Sequence, residues 1–276
     1  MLADDAPPPT SRAIPLLKIQ KLVLRDVPLF THRFLDHISI PTATTLRVIG
    51  IVDDPDPIFD VLNALIVMVP PPKPCHLPIF RSLTQATIEN HGPSLLQLSS
   101  PTTKLSLQAL SDGLSDLPSC LVALRILCFE SPLTTLEIDG DLDEIHGTRP
   151  WRELFGVFGN LKSLKVKGIG STIPMLCALG HTPVKMDDDA DAEVDDTPAC
   201  PHLRELFIGH MCWERGLVEA LTGVLRLREK YGLPQLEMLT LSLQCYEEED
   251  ADEYDETIDR YEDEVLDLVG RFEWGW

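Results

Sequence analysis

Long apolar runs are missing from this sequence. The longest, Ala64–Val69, has six residues, far short of the ~20 that a membrane-spanning helix needs. The opening MLADDAPPPT has neither a basic region nor an apolar stretch, so no secretory leader is legible. No Asn-x-Ser/Thr acceptor occurs, and the seven cysteines are odd in number and scattered. Both features fit a reduced intracellular compartment, cytoplasmic or nuclear. Basic residues are scarce: 23 Lys and Arg stand against 44 Asp and Glu, a net charge of −21. Phosphate backbones and anionic membranes call for a basic face, so neither nucleic acid nor membrane is expected as a partner. There is no G-x-S-x-G elbow and no H-E-x-x-H pair, which removes two common hydrolase signatures.

What is present is aliphatic. Hydrophobic residues make up 44% of the 276 and aromatics 6%, enough for a sizeable core in one large domain or two small ones. The acid is concentrated in two places. Asp187–Asp196 holds seven acidic residues and Glu247–Asp267 holds thirteen with one Arg, which leaves 24 acids against 22 bases elsewhere. The body is therefore near neutral. Residues 187–198 read as an acidic loop inserted into the domain. In the acidic C-terminal segment, 246–264, a loop precedes an amphipathic helix over Thr257–Val269, on the spacing of Ile258, Tyr261, Val265, Leu268 and Val269.

The strongest pattern is L-x-x-L-x-L with aliphatic substitutes. It occurs at Ile19/Leu22/Leu24, Leu83/Ala86/Ile88, Leu121/Leu124/Ile126 and Leu133/Leu136/Ile138. It returns at Leu161/Leu164/Val166, Leu203/Leu206/Ile208 and Leu236/Leu239/Leu241, with half-matches at Leu46–Val48 and Leu105–Leu107. The last two positions of each match share one face of a short strand. One such unit cannot bury its apolar face alone, whereas stacked units share a core. Helical spacing predicts helices over Thr31–Ile38, with Thr31 as N-cap, and over Pro57–Val69, Pro150–Phe158 and Glu214–Tyr231. The expected fold is α/β: an irregular leucine-rich-repeat solenoid of short parallel strands alternating with helices. It would fill 16–276, after a disordered Pro-rich stretch at 1–15. A Rossmann-type sheet would need a glycine-rich loop after a strand. The nearest approach, Gly168-Ile-Gly170-Ser, lacks the third Gly.

Several phrases carry a resemblance. They are LLKIQKLVLRDVPL (Leu16 to Leu29), TRPWRELFGVFGNLKSLKV (Thr148 to Val166), CPHLRELFIGH (Cys200 to His210) and LRLREKYGLPQLEMLTL (Leu225 to Leu241). In these the chain resembles the leucine-rich C-terminal halves of F-box-like proteins of mushroom-forming fungi, the basidiomycetes. The resemblance implies the substrate-recognition half of a ubiquitin-ligase adaptor. In that family a separate helical F-box docks on a Skp-type adaptor. Only ~15 residues precede the first repeat strand here, too few for such a module. A Skp-type partner is therefore expected only if an F-box lies upstream of this chain.

Cys200-x-His202 and His210-x-Cys212 have zinc-ligand types, but a strand between them would hold His202 and His210 ~26 Å apart. Asp187-x-Asp189-x-Asp191 opens like a calcium loop, yet Ala192 and Pro198 stand where Gly and Glu are required. Cys120, Cys128 and Cys177 sit among aliphatic residues, where thiols are inert. Asp139/Asp141 and Asp143/Glu144 read as exposed loop carboxylates. Trp151 and Trp213 read as core residues, and RFEWGW at the end reads as a cap on the last repeat. No catalytic residue, metal ligand or cofactor is assigned.

The expected function is non-enzymatic protein–protein recognition of an unidentified partner. The contact surface would be the concave face, through Gln20, Lys21, Val23, Lys162, Ser163, Lys165, Arg204, Glu205, Phe207, Glu237, Met238 and Thr240. The alternatives are a degenerate α/β hydrolase or transferase, and a nonfunctional gene fragment.

Overall fold

The computed structural model describes residues 13–41, 43–52, 61–69, 78–91, 94–110, 116–180, 198–212, 214, 216–244 and 265–274. The chain is α/β, and among the described residues ten strands form one open mixed sheet. In chain order the elements are β1 (Ile14–Pro15), β2 (Lys21–Asp26), α1 (Pro28–Asp36), β3 (Ile38–Ser39), β4 (Thr45–Ile51), α2 (Val61–Val67), β5 (Gln85–Glu89), β6 (Ser94–Ser100), β7 (Thr103–Leu110) and α3 (Leu117–Cys128). There follow β8 (Thr135–Asp141), α4 (Arg149–Val157), β9 (Ser163–Ile169), α5 (Ile173–Leu179), β10 (Glu205–Cys212), α6 (Leu217–Lys230), β11 (Met238–Gln244) and β12 (Phe272–Trp274). The pair β1–β3 stands apart as a two-stranded ladder, so Ile14 and Pro15 are paired rather than part of the N-terminal tail.

The spatial order of the large sheet is β12-β11-β10-β9-β8-β5-β6-β7-β4-β2. Every neighbouring pair is parallel except β5–β6 and β6–β7. From β8 onward each strand is laid down beside its predecessor. The middle is different: β5, β6 and β7 form an antiparallel meander that runs back toward β4. The chain then crosses from β7 to β8 through α3. A simple succession of parallel strand–helix units does not describe this segment.

Two unbroken apolar rows cross the whole sheet in register. One runs Leu22, Leu46, Leu105, Leu98, Ala86, Leu136, Leu164, Leu206, Leu239, Phe272. The other runs Leu24, Val48, Leu107, Leu96, Ile88, Ile138, Val166, Ile208, Leu241, Trp274. With a period of two, both rows point to the same side of each strand. There they join the buried faces of the helices in one core, with Trp151, Leu154, Phe155, Leu121, Leu124, Leu176 and Leu221 among the members. The helices pack in succession, α1 on α2, α2 on α3 and so on to α5 on α6. The opposite side of the sheet is mostly polar, with Val23, Ile49, Leu95, Phe207 and Met238 among its outward residues, and carries no helix among the described residues.

Six of the seven repeat matches and both half-matches are strands or run into strands, as expected. The exception is Leu121/Leu124/Ile126, which lies inside α3. Leu117, Cys120, Leu121, Leu124 and Cys128 recur at helical spacing, and the Asp116 carboxylate caps the helix by accepting from the Ser119 N–H at 2.9 Å. Helix α1 begins at Pro28, three residues before the expected start. Thr31 is accordingly an interior residue, its hydroxyl donating to the Pro28 carbonyl at 2.7 Å. Helices α4 and α6 match their predicted spans to within a few residues, and Phe272–Trp274 pairs with β11 as a final strand. The acidic residues 187–196, the 246–264 segment and Trp213 lie outside the described residues.

Candidate interaction surface

The open face is built by the residues that alternate with the two apolar rows. On β9, β10 and β11 the register places Glu205 between Ser163 and Met238, and Phe207 between Lys165 and Thr240. Neighbouring strands are ~4.8 Å apart, so these six residues form one continuous patch. Ser163 is buried and adds little surface. Arg204 and Glu237, one residue ahead of their strands, close the patch with an ion pair of 2.6 Å. Gln20 and Lys162 also immediately precede strands, and their carbonyl oxygens accept the first ladder hydrogen bonds, from Thr45 and from Arg204 and Glu205.

The proposed surface does not hold together in one respect. Gln20, Lys21 and Val23 belong to the far edge, six strand spacings from β9, or about 29 Å along the sheet. Residues that the expected surface left out lie between: Arg47, Lys104, Gln108, Gln97, Glu89, Thr87, Glu137 and Asp139. Thr87 and Glu137 sit inside full repeat matches and Arg47 inside a half-match, whereas Gln97 on β6 lies in no match. Lys167 was also missed, although it is central. Its Nζ lies 2.6 Å from Glu137 Oε1 and 5.7 Å from the Phe207 ring centroid, within the range of a cation–π contact. His91 pairs with Asp139 at the end of the same stripe. The face is therefore a mosaic of signs around one half-buried aromatic ring.

The other clusters have structural roles. Among the described residues no group of three or more His, Cys, Asp or Glu is placed to hold a metal ion. Cys200 is buried and His202 exposed at the start of the β10 unit. His210 and Cys212 lie within β10, and its residues 205–209 stand between them and the Cys200/His202 pair. Burial pushes the Cys120, Cys128 and Cys200 thiols up to about 12, which keeps them protonated and unreactive at neutral pH. The carboxylates expected in a loop are placed otherwise: Asp139 and Asp141 belong to β8, and Asp143 and Glu144 to the single 3-10 turn after it. Asp141 accepts from the Asp143 N–H at 3.0 Å, Asp143 from Ser171 at 3.0 Å, and Glu144 from Leu117 at 2.8 Å. Gly168 and Gly170 are also structural. A Cβ on Gly168 would lie 1.8 Å from the Gly140 oxygen, and the Asp143 carboxylate sits beside Gly170. An anion at that loop would meet a carboxylate already bound to the Ser171 amide.

Among the described residues no helix is long and apolar enough to cross a membrane. No family model, curated protein or solved structure matches the chain.

Proposed function

We propose that the chain is a protein-recognition module that binds its partner on the open face of the sheet. The observation that carries this reading is the one-sided construction: among the described residues a single helix layer covers both apolar rows, and no element covers the other face. An exposed parallel sheet face is unusual, since such sheets are ordinarily covered on both sides. It is a feature of repeat stacks that bind through the strand side. In this reading the runs β2–β4 and β8–β11 are leucine-rich-repeat units and β5–β7 is an insertion between them. The β9–β11 patch, with Lys165, Phe207, Glu205, Met238 and Thr240, supplies the contacts, and no catalysis is required. The likeness to F-box-like proteins extends the proposal to selection of a protein for ubiquitin ligation in a reduced intracellular compartment.

The test is affinity capture from source-cell lysate with the full chain and with a Lys165→Ala/Arg204→Ala/Phe207→Ala variant. A partner retained by the first and lost by the second supports the reading. Equal retention removes the β9–β11 face from it, and co-recovery of a Skp-type adaptor and a cullin would support the ligase link.

A further inference from the structure

Strand β2 ends the sheet, and its free edge has two chemically different sides. The register Lys21↔Thr45, Val23↔Arg47, Arg25↔Ile49, with the Thr45 N–H donating to Gln20 O at 2.8 Å, sets which groups face β4. In such a parallel ladder the N–H and C=O of Lys21, Val23 and Arg25 point away from the partner strand. No described strand pairs with that edge.

On the open side Lys21 and Arg25 of β2, Arg47 of β4 and Lys104 of β7 are all exposed. The outward positions of these three strands carry no acid. Arg47 donates to Gln108 Oε1 at 3.1 Å. The other three cations enter none of the ion pairs found among the described residues. Two strand spacings and four residues of rise place the four charges within roughly 10 by 13 Å.

On the helix side α1 packs on β2 and β4. His32 Nδ1 donates to the Val67 carbonyl of α2 at 2.8 Å, which marks the side of α1 that faces its neighbour. At about 100° per residue, Phe30 and Phe34 lie roughly 160° around the helix from His32. They point off the end of the helix layer, 56% and 46% exposed. An added strand beside β2 would thus have cations along one face and aromatic rings along the other.

We propose that the β2 edge takes an extended segment of a partner protein in which acidic and apolar residues alternate. Alternate side chains of a strand point to opposite faces. The acids would reach Lys21, Arg25 and the cations behind them, and the apolar residues would cover Phe30 and Phe34. The main-chain hydrogen bonds come from Lys21, Val23 and Arg25, as in other edge additions. A second copy fits poorly, because antiparallel pairing about Val23 sets Lys21 against Arg25, like charges directly opposite. The 246–264 acidic segment leaves β11, eight strand spacings away. Going out and back covers about 77 Å, more than its ~70 Å extended reach. The chain's net charge of −21 opposes an acidic partner only weakly at 0.1 M salt, where exposed charges more than ~10 Å apart are largely screened.

This site deepens the reading of the chain as a recognition module but is separable from the β9–β11 patch. The probe is a fluorescein-labelled peptide of alternating Asp and Val, about eight residues long, against an isomer with the same residues in two blocks. Both are titrated into the full chain by anisotropy at low and raised salt, with amide hydrogen exchange as a second readout. The expected result is about tenfold tighter binding of the alternating peptide, weakened by salt, with slowed exchange at Lys21, Val23 and Arg25. Lys21→Glu/Arg25→Glu and Val23→Pro each weaken it about tenfold. The first changes only exposed side chains, and the second removes an N–H that β4 does not use. Lys165→Ala/Arg204→Ala/Phe207→Ala leaves it unchanged, so failure here would not remove the proposed function. Equal binding of the two isomers, unchanged exchange at β2, or tighter binding of a single-stranded oligonucleotide would overturn the proposal. A dimer that protects the same three amides would overturn it in favour of a second copy.

Discussion

The guanidinium of Arg228 donates to the carbonyl oxygen of Leu203 at 2.9 Å. The same side chain, only 3% exposed, also donates to Cys200 O at 3.1 Å and Pro234 O at 3.2 Å. It therefore ties α6 to the turns that open β10 and β11. Cys200 has φ of +50°, a left-handed conformation that costs a non-glycine residue about 1 kcal/mol or more, and the guanidinium holds its carbonyl. Burial lowers the Arg228 pKa, yet an arginine stays charged at any neutral pH.

Arg228→Met should destabilise the chain by about 3 kcal/mol or more, since it leaves buried carbonyls without donors. Arg228→Lys should restore little, because a point ammonium cannot reach three carbonyls in a planar fork. Denaturant unfolding reads the loss, and hydrogen exchange should loosen first in the 198–204 and 232–237 turns.

Gly168→Ala should destabilise by roughly 2 kcal/mol or more. The residue has φ of +125°, and its Cβ would overlap the Gly140 carbonyl. Gly223→Ala is the matched control. It lies within α6 with nothing within 4 Å of the new Cβ, and should stabilise by about 0.5–1 kcal/mol through helix propensity. Thermal unfolding of the two variants should shift in opposite directions.

The buried thiols predict an alkaline limit. Cys120, Cys128 and Cys200 have folded pKa values raised to about 12, with burial the largest cause. A raised pKa adds stability that is complete below the unfolded value of ~9 and is lost as pH climbs from there toward 12. Each thiol contributes a slope of up to ~1.4 kcal/mol per pH unit. Cys128→Ala should flatten the stability curve in that window by one such share. At pH 8 an alkylating reagent should leave these three unmodified in the folded chain and label them on denaturation, as peptide mapping would show.

Open-face ion pairs should contribute little to stability. Lys167 and Glu137 are both partly exposed, and such pairs contribute about 0–1 kcal/mol. Lys167→Ala should therefore unfold within about 1 kcal/mol of the parent. A loss of partner binding in that variant would then report on the surface and not on the fold.

The apolar rows were legible because period-two alternation in Leu22/Leu24, Leu136/Ile138, Leu164/Val166, Leu206/Ile208 and Leu239/Leu241 has one structural solution when a face is buried. The match at Leu121 failed because Leu121 and Leu124 also fit a helix, and Asp116 with Pro118 decided the matter at the N-terminus. The β6 segment matched no repeat: Leu96 and Leu98 alternate as a strand does, but nothing local distinguishes an antiparallel strand from a parallel one. Arg228 was hidden for another reason. Near the end of an amphipathic helix a basic residue ordinarily faces solvent, and only the two turns above it supply the carbonyls that allow its burial.

Taken alone, the residues determined which side chains face the core, because hydrophobic periodicity is a local property of each segment. They also determined that most of the net negative charge lies in two segments. Tertiary structure decided the order of the strands, which depends on pairing between segments far apart in the chain. That order separated Lys21 and Val23 from Lys165 and Phe207 by six strands. It also gathered Lys21, Arg25, Arg47 and Lys104, from three non-consecutive segments, onto one end of the sheet. Surface composition follows from which edges meet, and the free energy that selects those edges is the burial of the whole two-row core rather than any single repeat.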